Sequence, residues 1–187
     1  MKSEPTILTH TGLTFNLLHP TPEMICIEDI AYALAHICRF GGHTNHFYSV
    51  AQHSVLVSRI VPPAFALHGL LHDAAEAYVG DMVKPLKNLL PAYSDIELNI
   101  ERAIFEKFGF SIPLDPCIKD SDMVLLNTER RDVMPETVGM WDKLIGIETM
   151  PDTIVAWSSS SAKDAFLDRY YFLFNYPFLK VLSHEGD

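Results

Sequence analysis

The stretch Ala64-Phe-Ala-Leu-His-Gly-Leu-Leu-His-Asp-Ala-Ala-Glu-Ala77 sets the architecture. It is apolar nearly all round, the mark of a helix that is buried rather than laid on a surface. Pro62-Pro63 precedes it, and a proline in the first helical turn loses no hydrogen bond, because its N–H would have no partner there. Gly80 supplies the stop. A helix of this kind needs other helices around it, and both flanks provide them.

Upstream, Ile27 to Phe40 puts Ile27, Ile30, Ala31, Leu34, Ala35 and Cys38 on one stripe, ended by Gly41-Gly42. Tyr48 to Val61 carries Val50, Ser54, Val57 and Val61 on one face. Downstream, Ser94 and Glu97 form a capping-box pattern for a helix to Phe108, with Gly109 as its C-terminal glycine. Asp115-Pro116 opens another, expected to end near Met134 because Pro135 follows. Ser161 is expected to cap a last helix, from Ala162 to Asn175. Residues 135–160 show weak periodicity and hold Trp141 and Trp157, read as packing residues, with a lid over a site as the sharper alternative. Near the N-terminus, Leu13 to Leu17 alternates as a short strand or hairpin does. Six or more helices with short links make an all-α bundle, taken as a single domain over 1–187.

Composition agrees. The chain has 187 residues, 48% of them hydrophobic, enough for one core and too many for general disorder. Its net charge of −10 argues against a duplex nucleic-acid partner. Cys26, Cys38 and Cys117 form no CxxC pair, which argues against a disulfide scaffold or a Cys-rich zinc site. The first residues lack the apolar run of a signal peptide, and no apolar stretch approaches the roughly 20 residues of a membrane helix. A cytoplasmic protein with no membrane partner is expected.

The chemistry concentrates at His72-Asp73 inside the most apolar helix. A buried carboxylate beside an imidazole is costly unless something pairs with it, and a metal ion does so well, since it wants neutral imidazole and ionised carboxylate. Further nitrogen and oxygen ligands are then required. His53 and Asp122, both beside apolar residues on expected helices, complete an N₂O₂ set with His72 and Asp73. That set does not select among Co, Mn, Fe, Ni and Zn, with Mg a further candidate, one ion per site. Glu76 lies four residues after His72, on about the same helix face, placed to take or deliver a proton.

The order His…His-Asp…Asp resembles the HD-domain metal-dependent phosphohydrolase superfamily. The flanks strengthen the likeness: Arg39-Phe-Gly-Gly-His-Thr-Asn-His-Phe-Tyr-Ser-Val-Ala-Gln-His-Ser54, Leu70-Leu-His-Asp-Ala-Ala-Glu-Ala77, Gly80-Asp-Met-Val-Lys-Pro-Leu-Lys87 and Lys119-Asp-Ser-Asp122. They are similar to the branch of bacterial 5′-deoxynucleotidases and related small nucleotide hydrolases, and span Ile27 to Asp132. The resemblance implies metal ligation by His53, His72, Asp73 and Asp122, with Glu76 and Asp73 catalytic. It also implies that Arg39 binds phosphate and Asp81 meets the sugar 3′-hydroxyl. Phe40 stands where that branch often has Trp, keeping an apolar ring but losing the indole N–H. Lys84 and Lys87 add positive charge near the phosphate, or form a solvated face.

The implied activity is hydrolysis of phosphate from deoxynucleoside 5′-monophosphates. A triphosphohydrolase acting on dATP-type nucleotides is the alternative, and a non-catalytic nucleotide-binding module a further one. Alarmone or cyclic-dinucleotide hydrolysis is disfavoured, the latter because no GYP follows the His-Asp pair. Relatives of this type are often homo-oligomers. Other candidate ligands fit less well. His43 and His46 sit in a Gly/Asn-containing loop and suit substrate contact or surface better than ligation. His68 and His72 have zincin spacing, but Gly69 replaces the necessary glutamate. Asp120 competes with Asp122 and cannot share its face. Glu129, seven residues after Asp122, can. His10, His19, His36 and His184 carry no assigned role.

Overall fold

Ser49 starts the structure around the site. Its hydroxyl accepts the Gln52 N–H at 3.2 Å, and the chain enters a helix whose first nine residues are all buried. The computed structural model describes residues 4–136 and 141–175; His184 lies outside them. Among these, a hairpin of β1 (Thr6–Leu8) and β2 (Thr14–Asn16), paired Ile7 opposite Phe15, precedes eight α-helical segments. They are α1 (Ile27–His36), α2 (Val50–Ile60), α3 (Ala66–Leu71), α4 (Glu76–Val79), α5 (Lys84–Lys87), α6 (Pro91–Phe108), α7 (Pro116–Asp132) and α8 (Ser159–Asn175). The fold is an all-α bundle with a short N-terminal hairpin. Helix α2 is its axis: α1, α3, α7 and α8 all pack on it. One hydrophobic cluster runs from Phe15 to Leu173 and includes Ile30, Leu34, Val57, Leu70, Leu71, Ile104 and Phe166. None of the described helices is long and apolar enough to cross a membrane.

Several boundaries differ from those expected of the sequence. Helix α1 ends at His36, not Phe40, and Cys38 instead bridges to Ser49 in extended conformation. That turns Arg39 inward, followed by Phe40 in the left-handed region at φ 56°. The long apolar helix is interrupted: α3 stops at Leu71 and α4 starts at Glu76. Between them the bonds run from residue i+3 to i: Ala74 N to Leu71 O at 3.1 Å, Glu76 N to Asp73 O at 3.0 Å, and Tyr78 N to Ala75 O at 3.0 Å. The His72-Asp73 pair therefore sits on a tightened turn between two short helices, a feature often found at functional positions.

Helix α6 begins at Pro91, so Ser94 lies inside it and is not a cap. Its end is as expected, with Gly109 at φ 71° receiving the chain in a conformation other residues rarely adopt. Asp115 caps α7, accepting the Cys117 N–H at 2.9 Å. Helix α8 starts at Ser159, and its cap is Ser158, whose hydroxyl accepts the Ser161 N–H at 3.1 Å; Ser161 is not the cap.

Candidate metal centre

Three elements deliver the side chains. Helix α2 carries His53, wholly buried at mid-helix. The turn after α3 carries His72 and Asp73, and α7 carries Asp122. His53 Nε2 lies 3.4 Å from His72 Nε2, 3.4 Å from Asp73 Oδ2 and 3.4 Å from Asp122 Oδ1, while His72 Nε2 lies 3.2 Å from Asp73 Oδ2. His53, His72 and Asp122 offer one ligand atom each within 4.8 Å of one another, a cluster able to hold a metal ion. Asp120 is exposed and outside it.

The far nitrogen of each ring is occupied. His72 Nδ1 lies 2.8 Å from the Gly69 carbonyl, which only accepts, so this nitrogen carries the proton. His53 Nδ1 lies 2.6 Å from Glu129 Oε1. Burial alone would raise the Glu129 carboxyl, but Arg39 and His53 outweigh it and hold it ionised. With both Nδ1–H groups donating outward, the two Nε2 atoms face carboxylate oxygens of Asp73 and Asp122, a position that a proton or a metal cation fills. His53, His72 and Asp122 fit a metal cation by donor chemistry, and Asp73 Oδ2 lies beside both rings, at 3.4 Å and 3.2 Å. The same setting shows in the basicity of His53. Burial and the Arg39 charge oppose protonation, yet Glu129 and Asp122 lift the ring's pKa to about 9.

The two acids stay ionised against their burial. His72 and His53 hold Asp73 well below the usual carboxylate range, and His53, His72 and Lys119 do the same for Asp122. Lys119 Nζ reaches Asp122 Oδ2 at 2.6 Å and leaves Oδ1 facing His53. Behind the ligands, Arg39 donates to Glu129 Oε2 at 3.1 Å, with its NH1 nitrogen 3.6 Å from Asp73 Oδ2. The Tyr48 phenol is held protonated, by burial first and by Glu129 second.

Glu76 behaves oppositely. Burial, reinforced by Asp73 and Asp81, pushes its carboxyl well above the ordinary value of 4.5, and its Oε2 is buried without a hydrogen bond. Asp81 is half-buried against the Phe40 backbone and also raised, chiefly by burial.

The remaining expected site residues divide. Arg39 is committed to Glu129 and Asp73 inside the ligand network. The Phe40 ring carries the Arg39 guanidinium at 5.2 Å and meets Trp141 edge-on at 6.3 Å. Lys87 pairs with Glu97 and lies over the Tyr93 ring, whereas Lys84 is exposed. His43 and His46 are exposed on their loop, and Trp157 packs against the core. Glu129, Tyr48 and Lys119 join the site without being expected there. Glu129 is visible in the sequence as a neighbour of Asp122 on one helix face, and Lys119 lies three residues before Asp122, a neighbouring helical position. Nothing in the sequence marks Tyr48.

No family model matches the chain. It is 41% identical over 165 residues to uncharacterized protein YfdR of Escherichia coli (strain K12), covering 88% of this chain and 93% of YfdR. It is 33% identical over 159 residues to uncharacterized protein RCAP_rcc00048 of Rhodobacter capsulatus, covering 78% and 80% respectively. With such identity over almost the whole of both chains, the protein belongs to the same family as YfdR.

Proposed function

We propose that the protein is a divalent-metal-dependent phosphohydrolase of the HD type that releases phosphate from deoxynucleoside 5′-monophosphates. One observation carries the proposal: the Nε2 atoms of His53 and His72 meet at 3.4 Å, both Nδ1 atoms donate away, and Asp73 and Asp122 oxygens close the group. The ligand order along the chain supports the same reading. Co, Mn, Fe, Ni or Zn suits this donor set. Held by His53, His72, Asp73 and Asp122, such an ion supplies Lewis acidity toward a phosphoryl oxygen and toward water.

The protein's own groups do the rest. Glu76, whose carboxyl pKa is raised by burial and by Asp73 and Asp81, lies beside the cluster, where it can give a proton to a leaving sugar oxygen. Arg39 and Glu129 fix the His53 ring and offset the charge of the acids. Phe40 and Trp141 form an apolar corner next to Arg39, suited to the flat part of a nucleotide. Asp81, half-buried beside Phe40, is positioned to bond a sugar hydroxyl. Lys84 is the exposed cation that can meet the phosphate, since Lys87 is engaged with Glu97.

The test is to purify the protein without chelator and measure bound metals. Wild type and Asp73→Asn are then incubated with nucleoside mono-, di- and triphosphates plus Mn²⁺ or Co²⁺. Nucleoside and phosphate from monophosphates, absent with Asp73→Asn, are expected. Tripolyphosphate released from triphosphates would replace this activity with the triphosphohydrolase one. No stoichiometric metal and no turnover would leave a binding module.

A further inference from the structure

The end of α2 leaves one carbonyl without its helical partner. In an α-helix the Ser58 carbonyl accepts the N–H four residues on, but residue 62 is proline and has none. Arg169 of α8 takes that place. Its Nη2 donates to the Ser58 carbonyl at 2.8 Å and its Nε to the Ser58 hydroxyl at 2.9 Å. Ser58 is buried, so the guanidinium is held along one edge by a fixed partner. The other edge, Nη1 with the second Nη2 hydrogen, makes no hydrogen bond among the described residues.

Arg59 follows Ser58 in the chain. It is exposed and lies over the Trp157 ring at 5.7 Å. Its guanidinium makes no hydrogen bond or ion pair among the described residues. Its charge acts on Arg169: burial first and Arg59 second lower the Arg169 guanidinium below its ordinary pKa, and no acid offsets them. Two like charges thus stand together without an acid partner, in a chain with 24 acids and 14 lysines and arginines. The C-terminal end of α2 compensates about half an elementary charge, leaving roughly one and a half positive charges. A carboxylate would cover one of them. A phosphate group carries about 1.5 to 2 negative charges near pH 7, and its oxygens match the flat fork of an arginine.

We propose that Arg59 and Arg169 form a phosphate-binding site outside the metal centre, with Arg169 supplying the fork and Arg59 the second charge. Arg59 lies six residues beyond His53 on α2, about 9 Å along the axis and on a different face, so the two sites share no residue. The proposal goes beyond the hydrolase reading and does not depend on it. Free phosphate and the phosphate end of a monoester offer the same chemistry, and the experiment separates them.

The experiment is calorimetric titration of the full-length protein, kept in EDTA, with inorganic phosphate, methyl phosphate and acetate. Saturable binding of phosphate that weakens as NaCl is raised is expected, with acetate at least about tenfold weaker. Methyl phosphate binding as phosphate does would extend the site to monoester ends; its failure would restrict the site to the free ion. Arg59→Gln changes an exposed side chain and should weaken phosphate binding about tenfold with the melting temperature unchanged. Arg169→Lys keeps the charge, loses the fork and should weaken binding about as much. Asp73→Asn should bind phosphate as wild type does. No saturable binding, acetate binding as tightly as phosphate, wild-type affinity in Arg59→Gln, or loss of binding in Asp73→Asn overturns the proposal.

Discussion

Glu129 Oε1 and His53 Nδ1 lie 2.6 Å apart, and both side chains are fully buried. The carboxylate fixes the ring's tautomer and turns its Nε2 toward the other ligands. It also pairs with Arg39, so one acid serves a ring and a guanidinium. Replacing it with glutamine preserves shape but removes the charge. Glu129→Gln is expected to weaken metal affinity about 10–100-fold, measured by competition with a chromophoric chelator. Unchanged affinity would show that His53 is oriented by packing alone.

Converging acceptors make the centre a source of stability when a cation is bound. A ligand at a hundred times its Kd adds about 2.7 kcal/mol. Wild type should therefore melt at a higher temperature with Mn²⁺ or Co²⁺ than with EDTA. Asp122→Asn should remove most of that difference, as read by differential scanning calorimetry.

Glu76 should be replaceable without harm to folding. Its carboxyl is buried in surroundings that favour the neutral form, and glutamine imitates that form. Glu76→Gln is expected to fold at least as stably while losing about 10²–10⁴-fold in turnover. The pH dependence has a definite sign. A carboxyl whose folded pKa is raised contributes stability that is full below the ordinary 4.5 and is lost as pH rises through the folded value. Wild type minus Glu76→Gln stability should thus decline with rising pH above about 4.5. A difference that grows with pH would contradict the assignment.

Gly69 of α3 packs against the C-terminal end of α2 and the residue after it. A Cβ there would meet Val61 Cγ2 at 3.0 Å and the Ser58 Cα at 3.3 Å. Alanine favours a helix by about 1 kcal/mol over glycine, yet the overpacking costs about 1–3 kcal/mol. Gly69→Ala should be destabilising in urea melts. It should also weaken metal binding, because the Gly69 carbonyl orients His72.

The start of α8 separates two serines. Ser158→Ala should cost about 1 kcal/mol through loss of the cap, and Ser161→Ala clearly less. Equal costs would return the cap to Ser161.

These cases show what the sequence can carry. Gly109 and Asp115-Pro116 are legible because their geometry is local: one residue type satisfies one backbone need. The run Ser158-Ser159-Ser160-Ser161 is ambiguous because any of the four can cap. The interruption between Leu71 and Glu76 leaves no local mark, since Ala74 and Ala75 favour continuous helix; nothing in the pattern separates an α-helix from its tighter form. His53, His72, Asp73 and Asp122 are legible as donors in an apolar setting. Arg39 is legible as a functional residue, but its commitment to Glu129 depends on α1 ending at His36, which tertiary pairing of Cys38 with Ser49 imposes. Lys119 joins the site through an i,i+3 pair with Asp122 on one helix, and Tyr48 through its neighbour Glu129, far away in sequence.

The Glu129 pairs join residues 76 and 90 positions apart in the chain. Contacts of such separation carry a larger loop-closure cost than the local bonds within a helix. On the proposed reading the ion enters a site that folding has assembled, so the same polypeptide recovered from different growth media should carry different metals.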